Sequence, residues 1–362
     1  MITWTLTGNG LVDPLGHPIG TDFLTFWTVS RALLTGNEHA VYIPAALAAL
    51  EQAAMQPAKL PFFYAWSYPP PALIVVYPLG LLPYLWSLAA WVAVGLAGYI
   101  AALWRIFPRP LTIWVGLAFP AVVWTVTHGQ TSFLVTGLFT WGLLLLHLRP
   151  ILAGILLGLL IFKPQLGLLL PIALIAGSRW RTIVAAVFTG LAFVATTILL
   201  FGSGIWSDFL GSMPLSRAML DEGLPGYYKL QSVFAAARLL GSPLQVAYGL
   251  QALVALSAAI IVAWAWARTA DPAMKNAVLV AAAPLSTPYI YDYDLLLVAP
   301  AIAWLARKIG EGHALPWEKT ILVAAFLTPF ISREVGWQTH LLLAPMVVAA
   351  LVAVITVRLW RT

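Results

Sequence analysis

The sequence predicts an all-α, polytopic transmembrane helical bundle, on three observations. Of its 362 residues, 61% are hydrophobic and only 9% charged, whereas a soluble domain carries about 25% charged residues. Apolar stretches recur from residue 72 to the C-terminus, most of them bounded by Arg, Lys or Pro. The cations between them stand singly or in pairs, as they do at cytoplasmic membrane flanks. The net charge of +6 therefore points to membrane flanks, and with no basic block it gives no sign of a nucleic-acid partner. The chain has no Cys, which removes disulfides and thiolate metal sites.

Residues 1–83 read as an extracytoplasmic N-terminal segment with juxtamembrane helices. In "GTDFLTFWTVSRALLTGN" a short helix starts after Asp22 and ends near Gly36. Asp22 has two readings there, a helix N-cap or a carboxylate that does chemistry. "YIPAALAALEQAAMQ" (42–56) is a second short helix with Pro44 in its first turn. Both would lie along the bilayer surface. "FYAWSYPPP" (63–71) supplies Tyr64, Trp66 and Tyr68, either belt aromatics or part of a site. The Pro-rich run 68–83 reads as re-entrant or interfacial, because Pro breaks a helix interior; a true span there would flip the side on which Asp22 lies.

Residues 84–362 read as one continuous bundle of about eleven spans. The apolar segments are 84–104, 111–127, 131–147, 151–162, 165–177, 182–202, 244–267, 276–290, 295–306, 320–332 and 338–357. Several fall short of the ~20 residues of a straight span and are expected to be tilted or broken. One set of connections holds Arg105, Arg109, Arg149, Arg179, Arg181, Arg268, Lys275, Arg307, Lys308, Lys319, Arg358 and Arg361. The alternate set holds "HGQ" (128–130), "KPQ" (163–165), the long loop 203–243, "YIYDYD" (289–294) and "SREVGWQ" (332–338). The positive-inside rule puts the first set in the cytoplasm, so the second set and Asp22 face outward.

The outward motifs carry the candidate site. Lys163 interrupts the apolar run 151–176, followed by Pro164 and Gln165. A charge at membrane depth is costly and reads as functional; a Lys snorkelling to the interface is the plainer alternative. His128 and Gln130 occupy an outer turn that Gly129 alone would also explain. "STPYIYDYDLLLVAP" (286–300) sets Asp292 and Asp294 among three Tyr, better suited to orienting hydroxyl groups than to holding a cation, since no metal-ligand spacing accompanies them. "PGYYKLQSVFAAAR" (225–238) brings Tyr227, Tyr228, Lys229, Gln231 and Arg238, on either a site or a solvated loop face.

Taken in order, "GTDFLTFWTVSRALLTGNEHAVY", "YPPPALIVVYPLGLLPYLWSLAAW", "HGQTSFL", "GLLIFKPQLGLLLP", "LQSVFAAAR" and "STPYIYDYDLLLVAP" span nearly the whole chain. Together they resemble the bacterial integral-membrane glycosyltransferases of family 87, GT-C type enzymes that include polyprenol-phosphate-mannose-dependent mannosyltransferases. The resemblance implies an inverting transfer of a sugar, a hexose such as mannose, from a polyprenyl-phosphate carrier to a lipid or glycan acceptor. It implies a multi-pass protein of the bacterial inner membrane with its active site facing the periplasm. The family's catalytic carboxylate lies in the first outer loop, where Asp22 stands here. The helix that precedes that loop in the family has no counterpart in this sequence, so an upstream transmembrane helix is expected. Two motifs depart from the family: Leu230 replaces the Asn of an "NQS"-type motif, and "YDYD" stands where some members have "WDH".

On this reading Asp22 is the general base. Lys163, Arg31, Lys229 and Arg238 are the outer cations available to the leaving phosphate. His128, Gln130, Tyr68, Gln165, Tyr228, Gln231, Asp292 and Asp294 would bind substrate. No cofactor is expected beyond the lipid-linked donor, and a metal requirement is left open. The rival readings are a polytopic transporter or lipid-linked sugar flippase, which would share broken helices and an intramembrane Lys, and a non-catalytic partner in an envelope complex.

Overall fold

The apolar, Pro-punctuated sequence folds into helices and short 3₁₀ turns. A computed structural model describes residues 10–268 and 270–361; residues 1–9 of the N-terminal segment lie outside the described residues. In chain order the helices are α1 (Phe23–Leu34), α2 (Pro44–Ala54), α3 (Pro71–Val76), α4 (Tyr84–Ile106), α5 (Pro110–Ala118) and α6 (Pro120–His128). Next come α7 (Ser132–Leu145), α8 (Pro150–Gly158), α9 (Leu170–Ala176), α10 (Trp180–Phe201), α11 (Gly204–Asp221) and α12 (Val233–Leu239). The last are α13 (Leu244–Arg268), α14 (Pro272–Ala282), α15 (Ala299–Gly310), α16 (Glu318–Thr339) and α17 (Ala344–Arg361). Pro starts α2, α3, α5, α6, α8 and α14, the first-turn position where its missing N–H costs nothing. Among the described residues there is no strand, only the isolated bridges Val12–Pro18 and Leu230–Tyr291.

The span count departs from the eleven read in the sequence. Four helices, α4, α10, α13 and α17, are long and apolar enough to cross a membrane, and there are five if α5 and α6, bent by 58° at their junction, are counted as one span. Pro120 holds the preceding Phe119 in an extended conformation and produces that bend. Of the other apolar runs, 320–332 lies within the continuous 22-residue α16, which is not among those spans, and the rest are short or broken. Residues 150–176 form a hairpin: α8 and a 3₁₀ turn lead up to Lys163, and a second 3₁₀ turn and α9 lead back. An arm of this length rises roughly 20 Å, short of the ~30 Å hydrocarbon thickness. Residues 272–310 form a second broken hairpin, from α14 through two 3₁₀ segments to α15. Arg149 and Arg179 bound the first hairpin, and a 2.7 Å ion pair from Lys308 to Asp271 closes the base of the second.

The helices therefore have two distinct ends. At the basic end Arg307 donates to the Ile106 carbonyl at 3.0 Å, Arg179 meets His147 at 3.1 Å, and Arg358 pairs with Glu318. Close packing between α8 and α10 holds the first hairpin in place. A Cβ on Gly154 would fall 2.4 Å from the Thr182 carbonyl, and one on Gly158 would fall 2.6 Å from that of Ala186. This is the small-residue crossing that helices use in lipid. At the opposite end Tyr68 bonds Gln130 at 3.2 Å and Tyr84 donates to the Ile19 carbonyl at 2.8 Å. The stretch between them, 69–83, thus starts and finishes at the same end. The hairpin tips and α1 meet there.

Candidate active site

Asp22 stands at the start of α1 with helical dihedrals (φ −78°, ψ −19°) and makes no side-chain capping bond. A capping Asp adopts extended dihedrals and accepts from the N–H groups ahead of it, so Asp22 is not acting as a cap. Its carboxylate is held from the side instead. Gln130 Nε2 donates to Oδ2 at 2.7 Å, and the Asp22 backbone N–H donates to the His128 carbonyl at 3.1 Å. Gln130 is buried and itself fixed, its Oε1 accepting from the Tyr68 hydroxyl (3.2 Å) and the Thr131 N–H (3.1 Å). Gly129 permits this approach. It has φ +62°, and a Cβ there would lie 2.5 Å from that of Phe23. Asp22 Oδ1 has no hydrogen-bond partner among the described residues.

The hairpin tips meet beside this turn. Lys163 Nζ donates to Asp294 Oδ1 at 2.6 Å, with the two side chains 4% and 1% exposed. Such a pair survives burial only if its remaining valences are filled. Ser132 Oγ donates to the same oxygen at 3.1 Å, the Tyr291 N–H reaches Oδ2 at 3.3 Å, and Thr131 Oγ1 lies 3.4 Å from Nζ. The Tyr293 ring, 5.4 Å from Nζ, completes the cage. Pro164 frees the chain from helical geometry here, since it disfavours the helical region for Lys163.

Asp292 faces a different cation. Arg333 Nη1 donates to Asp292 Oδ2 at 2.9 Å, and its guanidinium lies 5.1 Å from the Trp124 ring and 6.0 Å from that of Tyr228. The Tyr228 ring also meets Trp337, at 4.7 Å. His128 packs on Tyr293 at 5.8 Å and holds the Trp124 carbonyl through Nδ1 at 2.9 Å. Gln231 ties the 225–232 loop to both neighbours: its N–H donates to the Ile290 carbonyl at 2.8 Å, and its Oε1 accepts from Ser332 at 2.6 Å. Lys229 lies within electrostatic reach of Arg333, Asp22 and Asp292 together. Burial, then the charge of Arg333, push its ammonium below the usual Lys range. The loop thereby brings Lys229 toward Asp22, Asp292 and Arg333.

The structure thus gathers Asp22, Tyr68, His128, Gln130, Lys163, Tyr228, Lys229, Gln231, Asp292 and Asp294. Gln165 is half-buried in the 3₁₀ turn just past Lys163. Two proposed cations stand apart. Arg31 is exposed in the last turn of α1, bonded to the Gly80 carbonyl at 3.3 Å. Arg238 belongs to a satellite cluster, bonded to the Tyr227 hydroxyl at 3.0 Å and the Ser242 carbonyl at 2.8 Å. Arg333, Thr131 and Ser132 were not singled out by the motifs, although Arg333 is the one cation in the outward connection 332–338. Among the described residues no group of three or more His, Cys, Asp or Glu is placed to hold a metal ion.

Fold and site together define a helical membrane protein with a cluster of polar side chains at the end of the bundle opposite its basic flanks. The model of glycosyltransferase family 87 matches residues 66–288, more than half of the chain, and the chain belongs to that family. It is accordingly a membrane glycosyltransferase. The matched stretch carries Tyr68, His128, Gln130, Lys163, Lys229 and Gln231, with Asp22 ahead of it and Asp292, Asp294 and Arg333 after it. No curated protein and no solved structure matches the chain.

Proposed function

We propose that this enzyme transfers a sugar, a hexose such as mannose, from a polyprenyl-phosphate carrier to an acceptor hydroxyl with inversion, and that Asp22 is its general base. The observation that carries the reading is the Asp22 carboxylate, fixed through Oδ2 by Gln130 and with Oδ1 unengaged. A base so held accepts the acceptor's proton as the hydroxyl oxygen attacks the anomeric carbon. The bond from that carbon to the phosphate oxygen breaks on the opposite face, which gives inversion. General bases of this kind typically contribute 10²–10⁴-fold.

The leaving lipid phosphate gathers negative charge, and fixed cations lower that barrier. Lys229, and Arg333, which stays 24% exposed in its pair with Asp292, suit this task better than Lys163, which is 4% exposed in its pair with Asp294. Lys163 then serves to join the two hairpin tips. Tyr68, His128, Tyr228, Gln231 and Asp292 line positions from which sugar hydroxyls can be held. The lipid-linked donor serves as substrate, entering from the bilayer.

The basic flanks at the opposite end support an outward polar cluster by the positive-inside rule, and hence an active site at the periplasmic face of the bacterial inner membrane. A radiolabelled polyprenyl-phosphate sugar supplied to the reconstituted protein tests the reading. Label on an acceptor supports the transferase, and passage of intact carrier across the bilayer without transfer supports the flippase instead.

A further inference from the structure

Lys275, Arg179 and His147 meet at the basic end of the bundle, and among the described residues no carboxylate bonds any of them. Lys275, in the first turn of α14, is 6% exposed. Its Nζ lies 5.6 Å from the centre of the Trp266 ring and has no hydrogen-bond acceptor among the described residues. Trp266, from α13, is fixed by its own indole N–H, which donates to the Lys275 carbonyl at 3.0 Å. Its ring also packs on the turn after α9, where a Cβ on Gly177 would fall 2.8 Å from it. That turn presents Arg179. Nη2 of Arg179 donates to His147 Nε2 at 3.1 Å, while its Nε is buried with no partner. A guanidinium can only donate, so His147 carries its ring proton on Nδ1, as a further donor. Arg179 lies within electrostatic reach of Lys275, and both within reach of His147.

A buried charge needs a counter-charge, and the carboxylate that attracts Lys275 is engaged elsewhere. Asp271 accepts from Lys308 through Oδ2 at 2.7 Å, and through Oδ1 from the Ala273 and Met274 N–H groups at 3.0 and 3.2 Å. The 22-residue α10 begins at Trp180 with no side-chain cap, so its first N–H groups stand beside Arg179 without a side-chain acceptor. Such a helix start favours an anion. Exposed Leu148 and Trp180 adjoin His147 and Arg179, as apolar and aromatic side chains do at headgroup level.

We propose that Lys275, Arg179, His147 and the start of α10 form a binding site for a phosphate group, separate from the site of sugar transfer and independent of its chemistry. The phosphate belongs to the headgroup of an anionic phospholipid or to a soluble phosphate. In either case it supplies the counter-charge that Lys275 and Arg179 lack. It also ties together the feet of the two broken hairpins whose tips Lys163 and Asp294 join.

Native mass spectrometry of the full chain tests the site. The protein in detergent is offered equal amounts of phosphatidylglycerol and of phosphatidylcholine, whose choline cancels the phosphate charge. Its melting temperature is measured separately in inorganic phosphate and in chloride of equal ionic strength. Wild type should retain one phosphatidylglycerol in preference to phosphatidylcholine. Lys275→Met and Arg179→Gln should each weaken that binding about tenfold, the scale for losing a hydrogen bond to a charged group. Arg109→Gln, another cation of the basic end, should leave it unchanged. Retention in this pattern identifies a lipid headgroup. A melting temperature raised by inorganic phosphate in wild type but in neither Lys275→Met nor Arg179→Gln, with no lipid preference, identifies a soluble phosphate. Neither response in wild type, a response lost equally in Arg109→Gln, or one that survives both Lys275→Met and Arg179→Gln would overturn the site.

Discussion

Lys163 and Asp294 form a 2.6 Å ion pair, almost wholly buried, that joins the tips of two broken hairpins. Neither charge has another full counter-charge, so removing one leaves the other stranded. Lys163→Met should destabilise the protein by about 3–5 kcal/mol, the cost of breaking a buried pair from one side. The double variant Lys163→Met with Asp294→Leu should recover much of that loss. Thermal unfolding in one detergent compares the three, and a single variant as stable as wild type would refute the pairing.

Arg333 is the cation assigned to the leaving phosphate. Arg333→Ala should lower kcat by about 10²-fold, the scale for losing a group that stabilises developing charge. Arg333→Lys should recover part of it, because the charge remains while the guanidinium fork is lost. Steady-state rates with a polyprenyl-phosphate sugar check both, and unchanged kcat in Arg333→Ala would remove this residue from the reaction.

Lys229 gives the site a pH dependence. Its ammonium is held below the ordinary value by burial and by Arg333. The protonated form binds phosphate, so donor binding is intact below the lowered pKa and weakens as pH rises through it. The donor KM should therefore climb at a pH below that at which an ordinary Lys discharges. Lys229→Arg stays charged and should keep KM flat over the same range; identical profiles for the two proteins would contradict the assignment.

Glu51 of α2 makes the outer layer sensitive to pH. Its side chain is fully buried and accepts from the Thr25 hydroxyl at 2.7 Å and the Tyr64 N–H at 3.1 Å. Burial raises its pKa from 4.5 to about 7, partly offset by those two hydrogen bonds and reinforced by the charge of Asp22. With the folded value above the unfolded one, the stabilisation is complete below pH 4.5 and is lost as pH rises through about 7. The full swing is on the order of 3 kcal/mol. Melting temperature should fall across that window in wild type and change less in Glu51→Gln. A flat wild-type curve would show that Glu51 does not titrate there.

Much of this arrangement was legible because lipid constrains it. Alternating charges separated the two ends of the bundle, and an isolated Lys163 in an apolar run pointed to a buried polar partner, since a charge there needs one. The identity of that partner was not legible. Asp294 is 131 residues away, and only the hairpin geometry brings the two together. The count of about eleven spans was not confirmed, for a related reason. Pro164 and the 3₁₀ turns divide apolar runs that composition alone reads as spans. Helix phase removed Arg31, which sits at the far end of α1 from Asp22, and local bonding took Arg238 into a separate cluster. That Asp22 makes no capping bond and instead accepts from Gln130, 108 residues on, was not legible either.

The most direct test of the central claim is single-turnover transfer by Asp22→Asn in the reconstituted protein. The amide keeps the shape and can still meet Gln130 but cannot take the acceptor's proton. Transfer should fall by about 10²–10⁴-fold while expression, melting temperature and donor binding stay near wild type. Transfer at the wild-type rate would contradict the account of Asp22 as the base.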